Sequence, residues 1–276
     1  MTKKTKYLIR FITPIILFIL ILTAIFRKKD KEQRNNVSPS NAEVSIGKND
    51  FQFACGVSPL QINKSNLDTS NVQKLVFNPP FKWHKNNLRV YFTDIDDSNL
   101  KQKKLNVAKE WSQNANIKFI LNESIYASDI RVSFREQNGY FSAIGNFAET
   151  KSYLSGPTMW LYELYKRPYD EFRRVVLHEF GHTIGLEHEL RSPDSNIQWD
   201  SSAVYKYYLT TYKWCPKMVD DNIFTKINTN AYTRFDSNSI MIYAVPGFLT
   251  KNHQSITWKE NLSFLDKKTI RSYYLF

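Results

Sequence analysis

The chain has only two cysteines in 276 residues, Cys55 and Cys215, so no more than one internal disulfide can be drawn and a small scaffold stapled by several bridges is excluded. Histidine is scarce as well, with five in all. No internal repeat runs along the sequence, which removes solenoid and array architectures. The net charge of +12 lacks the clustering that nucleic acid requires. Residues 1 to 34 carry nine Lys/Arg against two Asp/Glu, and the remaining 29 basic residues are interspersed with 24 acidic ones. No nucleic-acid partner is therefore expected. What is present is 42% hydrophobic and 15% aromatic content, enough to bury the core of one or two domains.

Basic residues bracket an apolar run, FITPIILFILILTAIF, which reaches about twenty residues when counted from Tyr7 across Arg10 and is long enough to cross a bilayer. Ala24 has Leu22 rather than a small residue two positions before it and RKK soon after. An uncleaved anchor is thus favoured over a signal peptide. Lysine and arginine at both ends leave the orientation open. The polar tract that follows, DKEQRNNVSPSNAEVSIGKND, has the composition of a solvated linker. The expected organisation is residues 1 to 30 as a transmembrane anchor or signal segment, 31 to 80 as a linker or pro-segment, and 81 to 276 as the folded domain. That domain would be membrane-anchored and extracytoplasmic, or secreted.

Regular structure is expected from NLRVYFTD (87 to 94), a strand, followed by a helix over SNLKQKKLNVAKEWSQNA. Ser98 or Asn99 would cap that helix, with Leu100, Leu105, Ala108 and Trp111 on its apolar face. IKFILNE and SDIRVSF read as short strands, and GPTMWLYEL as another whose Pro157 suggests an edge position. PYDEFRRVVLHEFGHTIG reads as a helix capped by Asp170, with Phe172, Val175, Val176 and Ile184 toward a core. Two helices are expected over DSSAVYKYYLTTY and PKMVDDNIFTKI, the second opened by Pro216. A last one, in LSFLDKKTIRSYY, would be capped by Ser263 with Asp266 three residues on.

Three of the five histidines fall within LHEFGHTIGLEHE, residues 177 to 189. Positions four apart on a helix lie one above the other, so His178 and His182 converge on one point. Gly185 tolerates the left-handed conformation that ends a helix and lets His188 return to the same point. Three neutral imidazoles leave an open position on zinc, the mark of a catalytic site. Glu179, beside the first ligand, is placed to take a proton from water that zinc has acidified. A single histidine on a helix is more often an ordinary polar residue, and His84 and His253 keep that reading. The joint spacing of the other three does not.

HEFGHTIGLEH matches the metzincin zinc signature HExxHxxGxxH without a substitution. SIMIY, residues 239 to 243, resembles the Met-turn of that group, with Met241 in the place of the methionine beneath the metal. Within the metzincins the chain resembles astacins, most closely bacterial astacin-like proteases. Glu189 follows the third histidine, Tyr243 stands where astacins have a zinc-proximal tyrosine, and GYFSAIG is similar to their GCWSxVG. The resemblance spans about residues 80 to 276. It implies an α+β, metzincin-like zincin fold: a twisted mixed sheet with an active-site helix and an irregular C-terminal subdomain. It also implies one catalytic Zn2+ held by His178, His182 and His188, with Glu179 and Tyr243 catalytic, and a protein or peptide substrate hydrolysed as an endopeptidase would. The substrate would align along an edge strand near PTMWL. Tyr140 stands where astacins have a cysteine and Ile242 where they have histidine, and their two disulfides are absent.

Cys55 lies in ACGVSP, which resembles the CGV core of the matrixin cysteine switch, in which a thiolate blocks the metal. A Cys55–Cys215 disulfide is the other reading of the pair, and an unpaired or intermolecular cysteine a third. Two further function classes share parts of the pattern. A non-catalytic zinc scaffold would have no use for Glu179, and a non-peptide metalloenzyme none for the third histidine with a Met-turn.

Overall fold

The computed structural model describes residues 78–135, 139–149, 156–229 and 231–275. The expected anchor or signal segment and residues up to 77 of the expected linker or pro-segment lie outside the described residues. Among the described residues no helix is long and apolar enough to cross a membrane.

Strand β1 (Asn87–Phe92) buries Leu88, Val90 and Phe92 and turns the residues between them outward. That period of two places one face of the sheet on the core. Helix α1 (Ser98–Ser112) begins one or two residues earlier than a cap at Ser98 or Asn99 implies, because Asp97 is its cap and accepts from the backbone N–H groups of Asn99 and Leu100. Leu105, Ala108 and Trp111 are buried on its inner face as expected, and the first turn alone departs from the expectation. Leu100 is exposed, whereas Lys101 and Lys104 are buried. The Lys104 ammonium lies 4.5 Å from the Phe134 ring centroid and 4.4 Å from that of Phe172, and Lys101 reaches Glu123 at 3.2 Å. Long stems let both lysines line apolar surface while their charges find partners.

Strands β2 (Lys118–Leu121), β3 (Ile130–Ser133), β4 (Tyr140–Ser142) and β5 (Met159–Leu161) complete a five-stranded mixed sheet of order β2-β1-β3-β5-β4. Only the β4–β5 pair is antiparallel. β5 therefore pairs on both sides, and the edge belongs to β4, contrary to the position inferred from Pro157. Pro157 precedes the strand by two residues, so its missing N–H removes no bond from the ladder.

Helix α2 (Tyr169–Thr183) packs against α1 beneath the sheet and carries the histidine motif. Pro168, not Asp170, occupies its N-cap; Asp170 and Glu171 sit in the first turn, where they face the positive end of the helix dipole. At the other end Gly185 has φ +97°, the Leu186 N–H bonds to the Gly181 carbonyl and the Gly185 N–H to that of His182. This is the paired-bond termination that glycine permits. Indole N–H groups of Trp111 and Trp83 take the Leu177 and Thr183 carbonyls, and the Tyr274 hydroxyl takes that of Ile184.

Beyond α2 the backbone is mostly irregular. Helix α3 (Ser201–Tyr212) forms as expected, but the expected helix from Pro216 shortens to α4 (Pro216–Val219) and a wider π turn over Asp220–Phe224. Helix α5 (Phe264–Tyr273) carries the anticipated reciprocal cap between Ser263 and Asp266. Two apolar clusters result. One joins the sheet, α1 and α2 and includes Ile240 and Met241; the other gathers Leu190, Val204, Tyr208, Trp214, Ile242 and Tyr243. The 239 to 243 turn is thereby pinned from both sides.

Candidate metal centre

The α2 helix and its glycine exit deliver the three imidazoles to one place. Nitrogens of His178, His182 and His188 lie within 4.8 Å of one another, and all three residues are buried. No other cluster of histidine, cysteine and carboxylate among the described residues has this form. His178 donates Nδ1–H to the Ile240 carbonyl at 2.8 Å, and His182 donates Nδ1–H to that of Leu186 at 2.8 Å. Those bonds fix the tautomer and leave each Nε2 as a lone pair. His182 Nε2 stands 2.9 Å from His188 Nε2, while the buried His178 Nε2 has no hydrogen-bond partner.

Burial keeps the rings neutral. It pushes the His178 pKa down to about 4, and those of His182 and His188 well below the ordinary imidazole range, with repulsion among the rings adding to the effect for these two. Neutral, convergent nitrogens with an orphaned lone pair form a donor set suited to zinc, and the residues present fit the ion.

Tyr243 comes from the other apolar cluster. Its hydroxyl is 2.8 Å from His188 Nε2, and its ring stacks on His178 with centroids 5.7 Å apart. Glu179 is 1% exposed on the same helix, next to His178. The five residues singled out in the sequence thus occupy α2, the turn after it and the segment beneath. His84 and His253 are exposed and outside the cluster. Cys215 is exposed at the N-cap of α4, and Cys55 lies outside the described residues.

Met241 packs against α2 at Gly181. A Cβ on Gly181 would overlap its sulfur and stand 3.2 Å from Trp111 Cζ2, so the glycine in HEFGH lets the helix and the turn approach closely. Glu189 ties the same turn down from its own segment: its backbone N–H donates to the Met241 carbonyl, and its buried carboxylate accepts from the Asp236 N–H at 2.8 Å.

Asp266 has a larger role than sequence reasoning gave it. Besides capping α5, its carboxylate accepts from Ser239 Oγ at 2.7 Å and from the Ile240 N–H at 2.9 Å. The Ile240 carbonyl then orients His178. A polar chain therefore runs from the last helix through the turn to the first imidazole. The S-x-x-D cap was the available signal, but the tertiary bonds were not readable from it. Burial raises the Asp266 pKa to about 6, above the ordinary range of an aspartate. The folded protein holds this proton more tightly than the unfolded chain. The group's stabilising contribution is complete below about pH 4 and declines as pH rises through about 6. Asp266→Ala should cost about 3 kcal/mol, lowering the thermal midpoint by roughly 5–10 °C, because several buried donors lose their acceptor. The loss should be greater at pH 5 than at pH 7.5. Equal midpoints for variant and parent across that range would show that Asp266 does not hold the turn.

Residues 76–275 match the family model described as Astacin, a peptidase family. A solved structure of myroilysin is similar to the chain at 34% identity, covering 71% of this chain and 97% of that one with a TM-score of 0.65. A crystal structure of myroilysin matches at 32% identity, over 80% and 100% of the two chains, with a TM-score of 0.53. Comparison with curated proteins finds no match.

Proposed function

Since the chain belongs to the astacin family of zinc metallopeptidases and is a zinc-dependent endopeptidase with one catalytic ion, we propose that His178, His182 and His188 hold that ion through their Nε2 atoms. The observation that carries this assignment is the convergence of three buried imidazoles, two of them fixed by carbonyls at 2.8 Å. Zinc held there supplies a Lewis acid that polarises a peptide carbonyl and acidifies water.

The chain's own groups do the rest. Glu179 takes the proton from the attacking water and passes it to the leaving amine, a transfer its place beside His178 favours. Tyr243, whose hydroxyl borders the imidazole cluster, donates to the oxygen on which negative charge develops. β4, which ends the sheet among the described residues and so takes the edge place expected for PTMWL, receives the substrate as an added antiparallel strand, so that backbone hydrogen bonds give affinity with little dependence on sequence. Digestion of a peptide library by the purified protein should give internal cuts that vanish with a chelator and return with zinc. Cuts that persist in chelator would reject the assignment.

Tyr243→Phe should lower kcat by about 10²-fold and change KM little, since its hydroxyl acts on charge present only in the transition state. A shifted thermal midpoint with unaltered kcat would reduce Tyr243 to a packed aromatic.

The apolar run of residues 11 to 26 supports export, with the catalytic domain anchored outside the cytoplasm or released. Alkaline carbonate extraction should keep the full-length chain with the membranes. A soluble chain beginning near residue 25 would establish cleavage instead.

A further inference from the structure

Two consecutive arginines on α2, one turn before His178, grip a segment that has no regular structure of its own. Arg173 reaches both carboxylate oxygens of Glu110 on α1, at 3.1 and 2.7 Å, and its Nη1 donates to the Glu260 carbonyl. Arg174 places its guanidinium 4.6 Å from the centroid of the Trp258 ring. Together they fasten residues 258 to 260 to the helix that carries the motif.

Trp258 continues inward. Its ring meets that of Tyr243 edge-on, with centroids 6.4 Å apart and planes at 76°. On its other side Tyr243 is bounded by His188 at 4.4 Å and His178 at 5.7 Å. The tyrosine thus sits between the imidazoles and an indole, and the indole is backed by a cation from α2. Arg174 Nε is buried without a hydrogen-bond partner, and its guanidinium lies over the indole face. Glu171, Glu260 and Asp170 supply the surrounding negative charge. A position four residues before His178 puts Arg174 on the same face as the first two imidazoles.

We propose that Arg174 is a positioning residue for catalysis: by stacking on Trp258 it holds the indole against Tyr243 and keeps the phenolic hydroxyl where the oxyanion forms. The inference rests on the role given to Tyr243 above. An interaction that acts through a transition-state donor shows in kcat rather than KM. Methionine at 174 keeps the stem and removes the planar cation; lysine keeps the cation and loses the planar stack.

Arg174→Met should lower kcat by about 10-fold with KM within about twofold, one zinc still bound per chain and a thermal midpoint within a few degrees of the parent. Affinity for a phosphinic peptide, a mimic of the tetrahedral state, should fall by the same factor as kcat. Arg174→Lys should recover part of both losses, and Trp258→Leu should reproduce them by the other half of the stack. The decisive comparison is the double variant. In a Tyr243→Phe background, Arg174→Met should have no further effect, since the hydroxyl it positions is gone. A slow Tyr243→Phe enzyme that Arg174→Met slows by a further factor of about 10 would overturn the role of Arg174 while leaving that of Tyr243 intact. A parental rate in Tyr243→Phe alone would remove the Tyr243 role and this one with it.

Discussion

Replacing Glu179 by alanine should leave one zinc per chain while lowering peptide hydrolysis by about 10²–10⁴-fold, the range for losing a general base. Glu179 is not among the converging nitrogens, so the donor set survives the substitution. It is 1% exposed on a helix fixed by Trp111 and Trp83, and truncation there opens a small space without unfastening the helix. Glu179→Gln preserves the shape and should be almost as slow, which separates loss of proton transfer from loss of packing. Hydrolysis at the parental rate in either variant, with zinc retained, would take the proton-transfer role away from Glu179.

His182→Ala should act differently, through the metal. Two imidazoles make an incomplete site, and zinc should be lost on dialysis, with hydrolysis falling to the level of chelated protein. His182 is the middle member, 2.9 Å from His188, with its Nδ1–H spent on the Leu186 carbonyl that follows the glycine exit. Its removal therefore also frees a buried carbonyl, and a lower thermal midpoint should accompany the loss of metal. Zinc bound at one per chain with parental affinity would remove His182 from the ligand set.

The contrast between these two variants follows from features the sequence displayed openly. Helical spacing brings His178 and His182 together whatever the rest of the chain does, and a glycine at 185 is the cheapest way to reach φ +97°. The cap of α5 was equally local, and both halves of it form. Legibility failed where an element is defined by what lies beside it in space. Pro157 suggested an edge, but whether a strand is an edge depends on the partner that β4 becomes. Helical spacing places Leu105, Ala108 and Trp111 on the docked face of α1, but it does not show that Leu100 stays exposed while Lys104 is buried with its ammonium over Phe134 and Phe172. The caps of α1 and α2 lie a residue or two before the expected ones, because Asp97 outcompetes the neighbouring Ser98 and Pro168 starts α2 without a side-chain acceptor. The reach of Asp266 to the turn and of Arg174 to Trp258 is tertiary, and nothing in the local pattern marks either.

X-ray absorption at the zinc edge, paired with metal analysis of the same sample, reads out whether three histidines of the α2 segment hold a zinc ion. The spectrum should show one zinc per chain with three imidazole nitrogens at about 2.0–2.1 Å and an oxygen completing the set. Fewer than three imidazoles around the metal, or protein that binds no stoichiometric zinc when supplied with it, would rule out a site held by His178, His182 and His188.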